Sequence, residues 1–271
     1  MISLLFELFS YQFVVRAVLV GALVSLCAAL LGVSLVLKRY SMIGDGLAHV
    51  AFGALSVALA TGFAPLVFSV PVVVLAAFGL LRISENSKIK GDAAIAVISS
   101  AALAIGVIAA SLKKGLNVDV YNYMFGSILA MSRGDVYLSV SLSCVVLLFF
   151  LFFYNKIFAV TFDEDFAFAA GVNARGYNAL IALLTAVTIV VGMRIMGTLL
   201  ISSLIVFPAL TAMRICKSFR SVVICAATVS LVCFFSGILA SFAFEIPTGA
   251  SVVVANIIAF LSFSLLARVP R

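Results

Sequence analysis

The chain has 271 residues, 65% of them apolar and only 10% charged, with a formal net charge of +7. Soluble domains run at about 45–50% apolar and about 25% charged, so a soluble fold is excluded and an all-α polytopic membrane protein is indicated, in line with a mean hydropathy of +1.34. The basic residues are scattered over loops rather than clustered, which excludes a nucleic-acid surface. The opening MISLLFELFSYQFVV has neither a basic start nor an A-x-A site, so no cleavable leader is expected.

A spanning helix needs about 20 predominantly apolar residues. Taken in chain order, nine segments qualify: 13–37, 44–62, 65–82, 93–111, 135–154, 177–194, 196–213, 221–243 and 249–267. Short turns at Ala64-Pro65 and Arg194–Gly197 separate two of the neighbouring pairs. Residues 117–132 are too polar at their start to span, and a short surface helix is expected there. Gly21, Ser25 and Ala29, and again Ala54 and Ala58, recur at the four-residue spacing that lets helix backbones approach closely in lipid. Ordinary packing accounts for them. The five cysteines, Cys27, Cys144, Cys216, Cys225 and Cys233, lie in or at the ends of apolar runs with no metal-site spacing, and read as small hydrophobes.

Orientation follows from lysine and arginine, which accumulate in cytoplasmic loops. With the C-terminus cytoplasmic and the N-terminus outside, the inner side holds Lys38, Arg39, Arg82, Lys88, Lys90, Lys156, Arg175, Arg214, Lys217, Arg220, Arg268 and Arg271, twelve of the 17 basic residues. Arg16, Lys113, Lys114, Arg133 and Arg194 fall outside. The longest inner loop, residues 155–176, contains Asp163-Glu164-Asp165 followed by Phe166-Ala167-Phe168-Ala169-Ala170 and Gly171. Acidic residues suit a helix start and glycine its end, so a short amphipathic helix is expected. Its acids disfavour the anionic inner leaflet and favour a protein partner.

Asp45 and His49, the only histidine, stand four residues apart in SMIGDGLAHVAFG at the head of the second segment. That spacing puts both on one helix face, about 6 Å apart along the axis. Ionisable groups at membrane depth are expensive and generally functional. A carboxylate and an imidazole on one face can hold a divalent ion, serve a proton relay, or form a structural hydrogen bond. Two residues do not fill a zinc sphere of four. Enzymatic readings fail on inventory: there is no H-E-x-x-H, no G-x-S-x-G, and no Gly-Lys dipeptide from which a P-loop could be built.

These residues bear a resemblance over nearly the whole chain. The sequence is similar to the membrane permeases of ABC importers for zinc, manganese and iron. The likeness is carried by Gly32 to Lys38-Arg39 followed by Gly44-Asp45 and His49, by Asp92-Ala93-Ala94-Ile95 leading to Ala104-Ile105-Gly106, and by Asp119-Val120-Tyr121-Asn122-Tyr123-Met124-Phe125-Gly126-Ser127. The loop from Phe162-Asp163 to Gly171, then Val190-Val191-Gly192, Phe207-Pro208-Ala209 and Pro247-Thr248-Gly249-Ala250, continue it in order. Where many members follow the histidine with L-P-G, this chain has Val50-Ala51-Phe52-Gly53.

The resemblance implies one transmembrane permease domain over residues 1–271 with the large-type importer fold, in a bacterial cytoplasmic membrane. It implies a homodimer of permeases, two copies of a separate ABC ATPase, and an extracytoplasmic binding protein that delivers the ion. Asp45 and His49 would contribute to the cation site; Asp163, Glu164, Asp165, Phe166 and Gly171 would form the ATPase coupling element. No permanent cofactor is expected, only the transported divalent ion, with zinc favoured over manganese or iron. The competing reading is a gradient-driven secondary transporter using Asp45 and His49 as a relay.

Overall fold

A computed structural model describes residues 12–86, 91–112 and 133–267. The expected surface helix at 117–132, the Asp119–Ser127 motif, and Lys88, Lys90, Lys113, Lys114, Arg268 and Arg271 lie outside those residues.

Every regular element among the described residues is a helix, in keeping with lipid, because hydrocarbon offers no partner for an open backbone N–H or C=O. In chain order the helices are α1 (Gln12–Leu37), α2 (Ile43–Thr61), α3 (Pro65–Asn86), α4 (Gly91–Leu112), α5 (Arg133–Phe152), α6 (Tyr154–Phe162), α7 (Glu164–Ala169), α8 (Ala174–Met213), α9 (Phe219–Phe244) and α10 (Thr248–Leu266). Local chemistry sets the boundaries. Gly62 at φ 82° ends α2 and Pro65 opens α3. A reciprocal pair, Ser218 and Ser221, caps α9.

Helix α8 is 40 residues long, which would measure about 60 Å if straight, twice the roughly 30 Å hydrocarbon core. It folds back on itself at Gly197, whose φ 82° and ψ 166° belong to a region open essentially only to glycine. A methyl group added at Gly192 would lie 2.4 Å from Ile201 Cδ1, a contact that residues nine apart on a straight helix cannot make. Helix α1 packs along both arms. Its end meets the start of α8 through Lys38 and Asn178, and Val24 lies close to Gly192, so the first arm is antiparallel to α1. Gly21 approaches Met196, and Gly32 lies against the Ile205 carbonyl, where a Cβ would come within 1.9 Å of the oxygen. The second arm is therefore parallel to α1. Nine spans result among the described residues, with Ala174–Met193 and Met196–Met213 as separate crossings.

Burial sorts these spans into an inner and an outer set. The apolar windows of α1 and α2 are 72% buried and those of both α8 arms 67%, against 22% for α4, α5 and α10. The outer helices present residues such as Val97, Leu148, Phe152 and Leu265 outward, as expected of lipid-facing surface. Helix α2 packs chiefly on α4, in parallel, through Gly46 against Ile95 and Gly53 against the Ala102 carbonyl. The small residues of α1 do pack: Gly21 seats Phe234, and the Ser25 carbonyl accepts a hydrogen bond from Ser230.

Candidate functional site

Asp45 sits in the first turn of α2 and His49 one turn further on, next to buried Gly44, Gly46, Leu47, Ala48 and Val50. The pair departs from this pattern: the His49 side chain is 28% exposed and that of Asp45 49%. His49 Nε2 stands 3.6 Å from Asp45 Oδ2, too long for a good hydrogen bond. It is close to the roughly 3.3 Å edge separating two ligands of one tetrahedral ion with bonds of about 2.0–2.2 Å.

The fold-back of α8 brings a third group that the sequence did not single out. Ser202 Oγ lies 3.2 Å from Asp45 Oδ1 and 3.1 Å from the Thr198 carbonyl of its own helix. With one proton, the hydroxyl serves one acceptor at a time. When it donates to Oδ1, Oδ2 is left facing His49. The second arm of α8 is held at this depth by Ile205, which touches Gly44. Among the described residues no three His, Cys, Asp or Glu side chains converge, so the cluster consists of one carboxylate, one imidazole and one hydroxyl.

The second predicted element lies at the Lys38 end of the bundle. The short helix expected between Phe162 and Gly171 is α7, and a further helix that was not expected, α6, precedes it and meets it at Asp163. The Asp163 side chain accepts from the Phe166 N–H at 2.9 Å and so caps α7. Gly171, at φ 78°, turns the chain back, and Val172 N–H donates to the Ala167 carbonyl. A small core of Val160, Ala167, Val172 and Ala174 holds this hairpin together. Asp165, Phe166 and Phe168 face outward, the two phenylalanines 68% and 75% exposed.

Glu164 has a different environment from its acidic neighbours. Its Oε1 accepts from Lys38 Nζ at 2.6 Å and from Asn178 Nδ2 at 3.1 Å. Lys38 Nζ also donates to Asn178 Oδ1. Burial works against ionisation of Glu164, but the hydrogen bonds and charge of Lys38, with Asn178, outweigh it and hold the carboxyl below the usual glutamate range. The link is thus fully present at neutral pH and is lost only as acid protonates Glu164 through that lowered range.

A family model, described as the ABC 3 transport family, matches residues 10–267. The chain belongs to the ABC 3 transport family. Two of its similar relatives are the manganese transport system membrane protein MntC of Halalkalibacterium halodurans and the high-affinity zinc uptake system membrane protein ZnuB of Haemophilus influenzae. MntC is 27% identical, over 95% of this chain and 88% of its own length. ZnuB is also 27% identical, over 93% of this chain and 96% of its own length. Among solved structures, PsaBC from Streptococcus pneumoniae in complex with Fab superposes with a TM-score of 0.87 at 27% identity, covering 97% of this chain and 95% of that one. As an ABC 3 family member the chain is a multi-pass membrane permease subunit and not itself an enzyme.

Proposed function

We propose that the chain is the permease subunit of an ATP-driven importer of divalent metal ions, with Asp45 and His49 lining the permeation pathway. The observation that carries this reading is the half-exposed Asp45–His49 pair, spaced as two ligands of one ion, beside Ser202 on an otherwise buried stretch of helix. The names of the relatives, one for manganese and one for zinc, support the substrate class. A sparse donor set suits a pathway, where an ion must leave as readily as it enters.

Zinc, which the resemblance alone favours, is accommodated by imidazole and carboxylate. The hydroxyl at Ser202 adds oxygen to a set with one nitrogen and no thiol, and oxygen-rich sets suit manganese. We therefore place manganese level with zinc and iron behind them. In this reading a second copy of the chain completes the pathway at the open face of the pair. Two copies of a separate ATPase dock at α7, and an outer binding protein delivers the ion. Gradient-driven transport has less support, because a relay needs several carboxylates at depth, whereas Asp135 and Glu245 stand at helix ends.

Co-expression with a cognate ATPase and binding protein, followed by element-resolved uptake, tests the proposal. ATP-dependent accumulation of manganese or zinc is expected; accumulation that persists in a Walker-dead ATPase would overturn it. The distribution of basic residues supports a cytoplasmic α7. A cysteine at Asn173, the N-cap of α8, in a cysteine-free background should be labelled only after the membrane is permeabilised.

A further inference from the structure

We infer that Lys38, bridging Glu164 and Asn178, is the positioning residue that couples the ATPase-docking hairpin to the Asp45–His49 pair. The inference rests on the functional reading above and adds to it the route between the two sites.

The geometry is that of a junction between three elements. Lys38 follows α1, with its side chain only 7% exposed. Its two partners stand on α7 and on the first arm of α8. Asn178 is itself buried. A lysine so enclosed keeps its charge only while paired; Asn178 holds it from α8 and the half-exposed Glu164 from α7, so a shift of α7 is felt at Lys38. From Lys38 the chain reaches α2 through a tight turn. Arg39 takes a left-handed φ of 63°, and Tyr40 N–H donates to the Leu35 carbonyl at 2.8 Å. Ile43 N–H then donates to the Tyr40 carbonyl at 3.0 Å, and Asp45 lies in the first turn of the helix this opens. A turn this short and this bonded moves as one piece with Lys38.

The packing beneath the turn is not complete. A cavity of about 20 Å³ lies under the turn, lined by Lys38, Ile43, Leu47, Leu81, Asn178 and Thr185 among others. Close-packed interiors resist displacement; this pocket, the size of about one water, leaves a small packing gap on the side of α2 that carries Ile43 and Leu47. The Asn178 side of the junction reaches the same site by a second path, since α8 carries Ser202 on its return arm. The lowered pKa of Glu164 agrees with a link that stays ionised at working pH.

The test uses the full permease with its ATPase in proteoliposomes and reads three quantities: ATPase retained, ATP hydrolysed, and ions moved per ATP. Lys38→Met, which keeps length and apolar bulk, and Asn178→Leu should retain the ATPase and hydrolyse ATP. Each should lower ions per ATP by at least about fivefold, the lower end of typical coupling between sites. Lys38→Arg, which keeps the charge, should restore most of the ratio. A lowered thermal midpoint with an unchanged ratio in both variants would make the bridge merely structural and overturn the inference. Loss of ATPase retention in proportion to uptake would also overturn it, by making Lys38 part of the docking surface. If the parent chain with its ATPase moves no divalent ion at all, the functional reading itself fails, and that outcome is visible before any variant is made.

Discussion

Asp45→Asn and His49→Gln should each abolish most metal uptake while expression, folding and ATPase retention stay near those of the parent chain. Asparagine keeps the shape of Asp45 and its hydrogen bond from Ser202 but removes the charge. Glutamine keeps a polar group at position 49 but removes the imidazole. Both side chains are part-exposed and neither is wedged in the core, so the variants lose chemistry rather than packing. Each 1.4 kcal/mol is about tenfold in an equilibrium constant, so a metal ligand worth a few kcal/mol leaves a residual of a few per cent or less. Ser202→Ala removes only the hydroxyl beside Oδ1. A net hydrogen bond of about 0.5–1.5 kcal/mol gives a milder loss, about two- to tenfold. This ranking separates ligands from scaffolding: if the pair were only structural, Asp45→Asn and His49→Gln would lower the thermal midpoint and surviving protein would transport normally. A relay would show itself in uptake that collapses when the proton gradient is dissipated with ATP plentiful. Normal uptake by both folded variants sinks the assignment.

The boundaries of the spans were legible because hydropathy is a local property, and every predicted segment has its helix. The Arg194–Gly197 turn was legible too, since Arg194 and Gly197 fall inside an apolar stretch too long for one crossing. Two groups were not legible. Ser202 is one of a pair of serines in an apolar helix, a common arrangement with no signal of its own. It meets Asp45 only because the fold-back of α8, 157 residues later, returns to the level of α2. Lys38 was read as a marker of the inner side and as half of the basic pair in the family motif, not as a buried bridge. Nothing in its neighbours announces that the side chain is buried, or that its acid lies 126 residues away. Composition reports how much charge the chain carries; which charges face each other is decided by tertiary packing. Glu164 shows the same limit. It stood among three acids that all looked like surface, yet Asp163 caps a helix, Asp165 faces solvent, and Glu164 turns to Lys38.

On the function proposed above, that division within one tripeptide would separate binding from coupling, and Phe166→Arg tests the binding half. Phe166 is 68% exposed, as large an apolar group as the α7 surface offers apart from Phe168. An aromatic side chain presented this way is the usual anchor of a protein interface. It contributes nothing to the small core of Val160, Ala167, Val172 and Ala174, and its backbone N–H keeps the Asp163 cap whatever the side chain. Arginine at 166 should therefore leave the permease folded while placing an unpaired charge on the surface proposed to meet the ATPase. Hot-spot losses of about 2 kcal/mol or more correspond to roughly 30-fold weaker association, so the ATPase should no longer co-purify and uptake should fall with it. The pattern is the reverse of that expected for Lys38→Met, which keeps the ATPase and loses the ratio of ions to ATP. Normal co-purification and uptake by Phe166→Arg would move the docking surface off α7, toward the turn at 214–218, where Ile215 is the exposed apolar residue. In that case Glu164 would no longer stand at the ATPase contact, and the bridge to Lys38 would hold only a surface hairpin.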